Sequence, residues 1–594
     1  MNIKLEVFQD QDALDLMEEN SLLDAWTRLA DINEKHVVLQ RWEFVKSWYL
    51  HYAEEYQALL FLGHDDEKQI LGILPMAIHR KTAKLCVAGD EYAEYHGWLC
   101  EEKYEAVFVR ACLRYLKKNM RIKKWEINWL APGTRTDFLD PESLKKEGIY
   151  VDITSSEDPI WDLRNTKKFK KINKRANVKR SFRHFRQAGN FFLKRIQGKE
   201  ELRPLLEELA AQNDFKKEAL YNAKGFKGDP KSLDFLEALL QYPELNHFSV
   251  LYLDDKPLAF NHALIEGEEL CLASTSYNPA ESRNSPGKLH LLELAKLCEE
   301  EAIWSFDLTP GQDVYKSRFA NSSRLVHKVN FYFSFQSKLK AVIANQAKEF
   351  IQQIFDRLNL DISSLKYSFN DHSLKVKRML NLGLLNSLRE LGESIYKRKF
   401  YRLSKVRNKA LDNIVSHLGP HWELSENNFH DLLSYHEPAG YISRKDLFME
   451  CLEKFGKGDK LFCLKKTGEL CALAWLRKGK YPVPLKGTNL EKKLPDSAHI
   501  IYGFREFGKE INEGEIDTFY EEIIGRLIQR GEREIYLLEN KEGRCNTSFQ
   551  THRNMGLQFD NTYVRILGKF QFSFANPGPQ SAPEENSFTP LISI

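Results

Sequence analysis

The chain has 594 residues, which is too long for one hydrophobic core and predicts about three or four domains. Hydrophobic residues make up 42% and charged residues 29%, the balance of an ordinary folded protein. The formal net charge of +3 excludes a protein that binds polyanions through its overall charge, so any electrostatic function depends on local clusters.

The nine cysteines are scattered and odd in number, and no two of them form a C-x-x-C pair. This pattern fits neither a zinc ribbon nor a disulfide framework, so we expect reduced thiols, a cytoplasmic location and no metal. Residues 1–10 are charged, and no run of about 18 apolar residues occurs, so we expect neither a signal peptide nor a membrane span.

Helix-like and strand-like segments alternate along the first 150 residues. Apolar residues at helical spacing predict helices over 24–30, 42–54 and 102–118. Period-two alternation and apolar runs predict strands, of which the first two form a hairpin around a polar turn: 57–63, 70–78 and 124–130.

A strongly basic segment follows, because residues 164–186 contain eleven Lys or Arg and no acidic residue. Apolar residues recur in it at roughly helical spacing, which predicts one amphipathic helix. A solvated face is the plainest interpretation of its charge. Contact with phosphate groups is the alternative, with nucleic acid or tRNA favoured over a membrane surface.

The same order of elements recurs twice more, which predicts a mixed α/β (α+β) fold class. The second block has predicted strands at 248–253, 258–266, 270–276 and 303–308 around a helix at 289–302. After a basic, helical stretch at 336–415, the third block has a hairpin at 460–476, a helix at 515–530 and a strand at 532–538. The tail after residue 574 is rich in Pro, Ser and Asn, which predicts disorder.

A short loop from Arg283 to Lys288 runs from a predicted strand directly into the apolar helix 289–302. The start of a helix offers unpaired backbone N–H groups and the positive end of the helix dipole. Gly287 lets a ligand approach the backbone, and the two cations add charge, so this corner suits a pyrophosphate. A simple loop punctuated by Pro-Gly is an equally good interpretation.

Three polar residues follow the corner. Asp307 stands at the end of a predicted strand, and Tyr315 and Lys316 come on or near the next helix. A phenol and an ammonium group in that place are able to protonate a leaving thiolate and to stabilise an oxyanion. The alternative is that Tyr315 is a packed aromatic and Lys316 a surface charge.

The order Ser-Pro-Gly before an apolar helix, then Phe-Asp-Leu, Pro-Gly and Tyr-Lys, resembles the CelD-like acyltransferases of the GNAT superfamily, which are related to the FemAB aminoacyl transferases. The resemblance covers roughly residues 20–335. It includes Trp42–Trp48, Gly72–Met76 and Asp158–Trp161. Two fused GNAT-like halves are what this resemblance implies.

The resemblance also implies a donor site, since GNAT enzymes hold the acyl-CoA pyrophosphate at the loop and helix start after the fourth strand. By this likeness Tyr315 is the general acid, and four residues hold the pyrophosphate of acetyl-CoA or another acyl-CoA: Arg283, Ser285, Gly287 and Lys288. The loop departs from the common Gln/Arg-x-x-Gly-x-Gly/Ala pattern, because it has one glycine, preceded by Pro286. FemAB relatives use aminoacyl-tRNA instead and carry an aromatic–Lys pair where this chain has Tyr315–Lys316.

The general base is left open between Asp307 and residues of the N-terminal half that would face the cleft. Those residues, which are also candidates for binding the acceptor, are Glu94, Tyr95 and His96. Solvated loop residues are an equally good interpretation of Glu94 and His96.

The expected organisation is two GNAT-like halves, a helical linker, a divergent third GNAT-like domain and a disordered tail, at 1–155, 156–335, 336–397, 398–572 and 573–594. The expected function is acyl transfer from acyl-CoA to a small molecule, a sugar or an envelope or polysaccharide precursor. An aminoacyl-tRNA-dependent transferase and a non-catalytic binding module are the alternatives.

The third domain is expected to be divergent and catalytically silent. Residues 553–567 resemble the closing motif of the GNAT fold, with His552 where that family has its tyrosine. The segment Asn512–Gly514 is acidic and therefore a poor site for an anion.

Overall fold

The computed structural model describes residues 3–33, 38–311, 313–357, 399–406, 419–437, 442–480, 483–484, 491–492, 494–507, 511–542, 557–566 and 570–575. The chain divides into two compact units. The first unit is drawn from residues 1–214, 224–278 and 285–361, and the second from residues 215–223, 279–284 and 362–594.

The first unit begins with a five-stranded sheet of order β1-β2-β3-β4, in which β5 also pairs with β3. Its strands are β1 Lys4–Gln9, β2 Tyr56–His64, β3 Ile70–His79, β4 Leu85–Val87 and β5 Leu99–Cys100. The helices are α1 Gln11–Leu16, α2 Asn20–Asp31, α3 Trp42–Tyr52 and α4 Glu102–Asn119. The antiparallel pairing of β2 with β3 confirms the predicted hairpin.

An eight-stranded mixed sheet follows, of order β6-β13-β7-β12-β11-β10-β9-β8. Its strands are β6 Lys124–Ile127, β7 Tyr150–Asp162, β8 Phe191–Ile196, β9 Asn246–Leu253, β10 Lys256–Glu266, β11 Glu269–Tyr277, β12 Ser305–Asp307 and β13 Ser322–Tyr332. The helices are α5 Pro141–Lys146, α6 Thr166–Asn173, α7 Ala176–Ala188, α8 Lys199–Leu202, α9 Leu206–Tyr221, α10 Lys231–Leu239, α11 Pro286–Glu300, α12 Val314–Phe319 and α13 Phe335–Arg357.

Both faces of this sheet are covered, so the alternation of side chains along a strand decides which core each residue joins. Leu270 and Phe306 pack with Leu289 of α11 in the core on one face. Cys271, one position along β11, joins the core on the other face together with Val326 of β13 and side chains from the N-terminal sheet. The residues of β12 therefore divide between two different environments.

The basic segment forms two helices, α6 and α7, where the sequence predicted one. The break falls at Arg175, whose backbone is extended at φ −64° and ψ 133° and precedes α7. Ile172, Val178 and Phe185 are buried, which fixes the apolar side of each helix separately. Crowded like charges weaken a continuous helix, so the break separates two groups of cations.

The second unit contains an eight-stranded sheet of order β15-β16-β17-β20-β21-β14-β22-β23 and a two-stranded sheet β18-β19. Its strands are β14 Lys399–Val406, β15 Trp422–Glu426, β16 Lys460–Lys466, β17 Glu469–Lys478, β18 Val483–Pro484, β19 Glu491–Lys492, β20 His499–Glu506, β21 Ile535–Glu542, β22 Leu557–Ile566 and β23 Phe570–Ala575. The helices are α14 His430–Leu433, α15 Arg444–Lys457 and α16 Glu513–Gln529.

The predicted hairpin at 460–476 is confirmed by the pairing of β16 with β17. His552, the tail after residue 575 and most of the predicted helical linker lie outside the described residues. Among the helices that are described, none combines the length and the apolar character needed to cross a membrane.

Candidate active site

The eight-stranded sheet of the first unit opens between β11 and β12. These two strands run parallel, and only Glu269–Cys271 pair with Ser305–Asp307. β12 ends there, while β11 continues to Tyr277 with β10 as its neighbour. We call this opening, along residues 272–277, the wedge. An interrupted parallel pair leaves a strand edge on which a ligand is able to lie.

A β-bulge at Ala273 shapes the wedge. His262 of β10 pairs with Ser274 and Ala263 pairs with Leu272, so Ala273 is the extra residue of β11. Its side chain is exposed although β11 is an interior strand. A bulge bends its strand and increases the local twist, which moves this part of β11 away from the line of β12. The sequence predicted β11 but gave no signal of the bulge.

Helix α11 begins beside the end of β11. Ser285 precedes it in the left-handed conformation, at φ 52° and ψ 55°, and its side chain makes no capping hydrogen bond. A Cβ on Gly287 would lie 3.2 Å from the Tyr277 ring, so a small residue fits best where the helix start meets the strand. Pro286 at the first helical position suits the fixed start of the helix.

Three cations gather at this helix start: Lys288, Arg175 from the start of α7 and Arg318 from α12. Burial lowers the pKa of Lys288, and the charges of Arg318 and Arg175 lower it further. Within the described part of the chain, no carboxylate lies within 4 Å of any of the three. Together with the helix dipole they form an uncompensated positive corner that suits a phosphate or pyrophosphate. The sequence prediction contained Lys288 but missed both arginines, since they come from other elements.

Arg283 is not among the charges that lower the pKa of Lys288. It belongs to a short 3-10 helix, Pro279–Asn284, that is part of the second unit. There its side chain lies against Gly458, at the position that a Cβ would occupy. Gly458 ends α15 in the left-handed conformation with φ 86°.

A buried group of carboxylates surrounds Arg324 on the face of the sheet opposite α11. Its guanidinium donates hydrogen bonds to Asp158 at 2.8 Å, to Glu269 at 2.8 Å and to Asp307 at 2.6 Å. Asp158 and Asp307 are almost completely buried. Burial and the neighbouring Asp158 raise the pKa of Asp307 to about 7, and burial raises the pKa of Asp158 too. One arginine therefore serves three carboxylates, and the group is able to hold a proton near neutral pH.

Two of the three predicted residues from the N-terminal half join this group. Burial and the charge of Asp307 raise the pKa of Tyr95, which is buried beside that carboxylate. Burial raises the pKa of Glu94, while the charge of Lys316 opposes that rise. Glu94 is partly exposed, which makes it the accessible carboxylate of the group.

His96 does not join the group. Its Nε2 lies 3.1 Å from the backbone oxygen of Asp90, and its backbone bridges to Leu130. Burial lowers the pKa of the imidazole, so it is neutral near pH 7. Because it alternates with Tyr95 along the chain, its side chain turns to a different environment.

Lys316 holds the turn that follows β12. Its ammonium donates to the Thr309 carbonyl at 3.0 Å, to the Thr309 hydroxyl at 3.1 Å and to the Pro310 carbonyl at 3.1 Å. Thr309 and Gly311 have positive φ, at 61° and 137°, so the turn needs such support. Lys316 is buried, and the surface-charge interpretation of it is therefore wrong.

Tyr315 lies on the other side of the same turn. It is partly buried and packs against the core that contains Leu289 and Phe319, on the α11 face of the sheet. Asp307 occupies the opposite face, and its carboxylate accepts a hydrogen bond from the Thr309 amide at 2.7 Å. The phenol and the carboxylate thus flank the end of β12 from two sides.

A cleft of about 930 Å³ opens beside Lys316 and Gly311. Trp129 lines it together with polar side chains from β7, α12, β13 and the link between the last two, among them Ser156, Ser317, Asn321 and Ser323. This cleft has the volume and the hydrogen-bonding groups to receive a small polar molecule.

Residues 173–317 match the family model described as an acetyltransferase (GNAT) domain, which confirms the expected resemblance for that part of the chain. No curated protein matches the sequence.

Several solved structures resemble the fold distantly. The C-terminal domain of a putative lysylphosphatidylglycerol synthetase from Agrobacterium fabrum is 11% identical over 54% of this chain and 94% of its own, with a TM-score of 0.36. FemX is 11% identical over 54% of this chain and 98% of its own, with a TM-score of 0.38. A tandem GNAT protein from the clavulanic acid biosynthesis pathway is 10% identical over 55% and 98%, with a TM-score of 0.34. These similarities concern the fold and, at such low identities and TM-scores, do not indicate a function.

Proposed function

We propose, on the premise that residues 173–317 form a GNAT-type acyltransferase domain, that the protein transfers an acyl group from acyl-CoA to an amine or hydroxyl of a small molecule or saccharide. The observation that carries this proposal is the wedge between β11 and β12. It lies between an uncompensated positive corner and a buried carboxylate group that holds a proton near neutral pH.

The positive corner suits the phosphates of the donor. Lys288, Arg175 and Arg318 would supply charge, and the start of α11 at Ser285 and Gly287 would supply a close backbone approach. The edge of β11 along residues 272–276, where β12 no longer pairs with it, would accept the amide groups of the pantetheine arm as a strand accepts a peptide. The thioester would then lie at the closed end of the wedge, near Asp307.

The proton acceptor and the proton donor would act from opposite faces of the sheet. A bond forms between the acceptor nitrogen or oxygen and the acyl carbon, and the carbon–sulfur bond breaks. Asp307, with its pKa of about 7, would take the acceptor's proton, while Tyr315 would supply a proton to the leaving thiolate. Glu94 would bind the acceptor from the N-terminal half.

Two residues act through others. Lys316 holds the turn at Thr309 and Pro310, and Arg324 fixes the three carboxylates, so both are positioning residues. Exact placement of the reactants is the largest contribution that a site of this kind makes to the rate.

An aminoacyl-tRNA donor is the second candidate. Arg175 belongs both to the positive corner and to the basic segment, so one charged surface reaches from the donor site along α6 and α7. A nucleic-acid donor would contact the whole of this surface, whereas acyl-CoA would contact only the positive corner.

Thermal-shift titration of the full chain with acetyl-CoA, longer acyl-CoAs and tRNA tests the donor. We expect acyl-CoA to raise the melting temperature, and Lys288→Glu to weaken binding at least tenfold because it reverses a charge at the corner. Lys81→Glu, on an exposed lysine away from the wedge, is the matched control. A shift with tRNA alone would replace the acyl-CoA proposal, and no shift with any acyl-CoA would refute it.

A further inference from the structure

Helices α6 and α7 present a cationic surface that acyl transfer does not use. Arg164 and Arg186, at its two ends, have acidic partners in Glu268 and Glu293. Between them, apart from Arg175 of the positive corner, lie seven exposed cations for which the described residues provide no carboxylate within 4 Å. We call these seven the basic face: Lys167, Lys170, Lys171, Lys174, Lys179, Arg180 and Arg183.

The like charges of the basic face destabilise the two helices that carry them. Lys167 and Lys171 stand four residues apart on α6, and Lys179 and Arg183 do so on α7, spacings at which like charges repel. The buried side of each helix already packs in the core through residues such as Ile172 and Phe185. A surface of like charge with no acidic neighbours is complementary to a chain of phosphates.

Beside the basic face is a shallow recess of about 370 Å³, lined by Lys179, Phe182, Arg183, Arg186 and Gln187. Phe182 is only partly buried, and two cations lie over its ring: Arg186 at 5.2 Å and Lys296 at 5.7 Å from the centroid. An aromatic ring, guanidinium groups and an amide together are the groups that bind an unpaired nucleobase.

A membrane surface fits this region less well. Peripheral helices that bind lipid insert large apolar side chains beside their cations. Among the described residues, none of the exposed large hydrophobic side chains belongs to α6 or α7. The face is therefore cationic without an apolar anchor, and Phe182 beside it lines the recess.

We propose that the basic face binds a single-stranded nucleic acid, with phosphates along α6 and α7 and a base in the recess on Phe182. Each phosphate contact releases counterions, so the affinity depends steeply on salt. Base stacking on Phe182 adds a contribution that a bare phosphate chain lacks. None of the seven cations of the basic face belongs to the positive corner, so the proposal does not require acyl-CoA to be the donor.

Fluorescence anisotropy of the full chain with an oligouridine of ~12 nucleotides tests the phosphate contacts between about 50 and 200 mM salt. Changing Lys167, Lys170, Lys171 and Lys174 to Ala removes four contacts, and we expect the slope of log affinity against log salt to fall in magnitude by about 3. The matched control changes four exposed lysines elsewhere in the first unit to Ala: Lys81, Lys118, Lys123 and Lys146.

The recess is tested with Phe182→Leu, which keeps an apolar side chain against the core. We expect oligouridine affinity to fall about tenfold while binding of an abasic oligomer of equal length is unchanged. Equal losses in the face variant and its control, or no binding of the oligomer at about 150 mM salt, would overturn the proposal. Binding only to anionic phospholipid vesicles would overturn it in favour of a membrane surface.

Discussion

The two units contain similar openings with different chemistry. In the second unit β20 and β21 run parallel, and only His499–Tyr502 pair with Ile535–Leu538 before β20 continues to Glu506. Its pairing with β17 shifts between Leu473 and Trp475, which places an extra residue in β20 near Gly503. The same strand order, interrupted pair and irregularity as in the wedge thus recur.

The helix starts differ most. α16 begins with a capping box, in which the Asn512 side chain accepts from the Glu515 amide and the Glu515 side chain accepts from the Asn512 amide. Those backbone groups are no longer offered to a ligand, and a carboxylate stands where an anion would bind. α11 has Ser285 without a capping bond, and Lys288 beside it. The strand order is shared, but of these two helix starts only that of α11 is suited to the anion site proposed above, so function depends on the site and not on the fold.

The buried arginines also differ. The Nε of Arg477 donates to Asp459 at 2.6 Å, and the Tyr502 hydroxyl donates to the same carboxylate at 2.5 Å. Arg324 faces three carboxylates, so burial and excess negative charge together raise the pKa of Asp307 to about 7. The first cluster therefore favours a bound proton near neutral pH, whereas Asp459 in the second accepts hydrogen bonds from residues of β17 and β20.

Replacing the buried arginines, Arg324 and Arg477, should have the largest effect on stability. Arg324→Met leaves three buried carboxylates without their cation, and we expect it to lower the free energy of unfolding by about 3–5 kcal/mol. Arg477→Met leaves one carboxylate that keeps its tyrosine donor, so its loss should be smaller. Denaturant unfolding of the full chain measures both. Equal losses would show that the additional carboxylates around Arg324 do not increase the loss of stability.

Asp307→Asn should separate catalysis from structure. A proton acceptor typically contributes 10²–10⁴-fold to the rate, so acyl transfer, followed by release of the free CoA thiol, should fall by that order. Asp459→Asn, which neutralises the carboxylate paired with Arg477 in the second unit, should leave turnover within about twofold if only the first wedge is catalytic. A comparable fall in turnover at Asp459 would mean that both units catalyse.

The raised pKa of Asp307 also predicts a dependence of stability on pH. Its value is about 7 in the folded chain against 3.8 for a free side chain, so between those values the folded state holds a proton that the unfolded state has lost. The free energy of unfolding should therefore decrease as pH rises from about 4 to about 7. Asp307→Asn should flatten that decrease, and an unchanged pH profile would place the proton elsewhere.

Tyr315→Phe should have a smaller effect, because it removes a proton source and keeps the ring against the core that contains Leu289 and Phe319. Turnover should fall about tenfold or more, while thermal stability and the acyl-CoA-induced shift stay nearly unchanged. The test compares steady-state rates with binding titrations on the same samples. An unchanged rate would reduce Tyr315 to a packing residue.

Much of the fold could be predicted from periodicity. Alternating apolar residues and polar turns predicted two hairpins, and the structure contains both, β2 with β3 and β16 with β17. The bulge at Ala273 could not be predicted, because a bulge is set by pairing between strands and leaves no local pattern. The break at Arg175 was missed for a similar reason, as the apolar spacing continues across it.

The site was predicted in part. Asp307, Glu94 and Tyr95 come together, and Lys288 stands at the helix start. Arg324, Asp158 and Glu269 were missed because strands distant in sequence bring them together, so that no spacing links them. Their signal in the sequence is that charged residues occupy strand positions where an apolar residue is expected, which on its own also fits a solvated strand.

Gly287→Ala gives the finest test of the difference between the two openings. The added methyl group would lie 3.2 Å from the Tyr277 ring, so either the ring or the helix start must move by a few tenths of an ångström. We expect acyl-CoA affinity to fall a few-fold with little change in melting temperature, because the strain falls on the donor corner. Gly514→Ala, at the start of α16, is the matched control and should leave donor binding unchanged.

Tyr277→Leu should restore part of the loss in Gly287→Ala, since a smaller side chain relieves the contact. If Gly287→Ala binds donor as the unaltered chain does, close packing between β11 and α11 is not what shapes the corner.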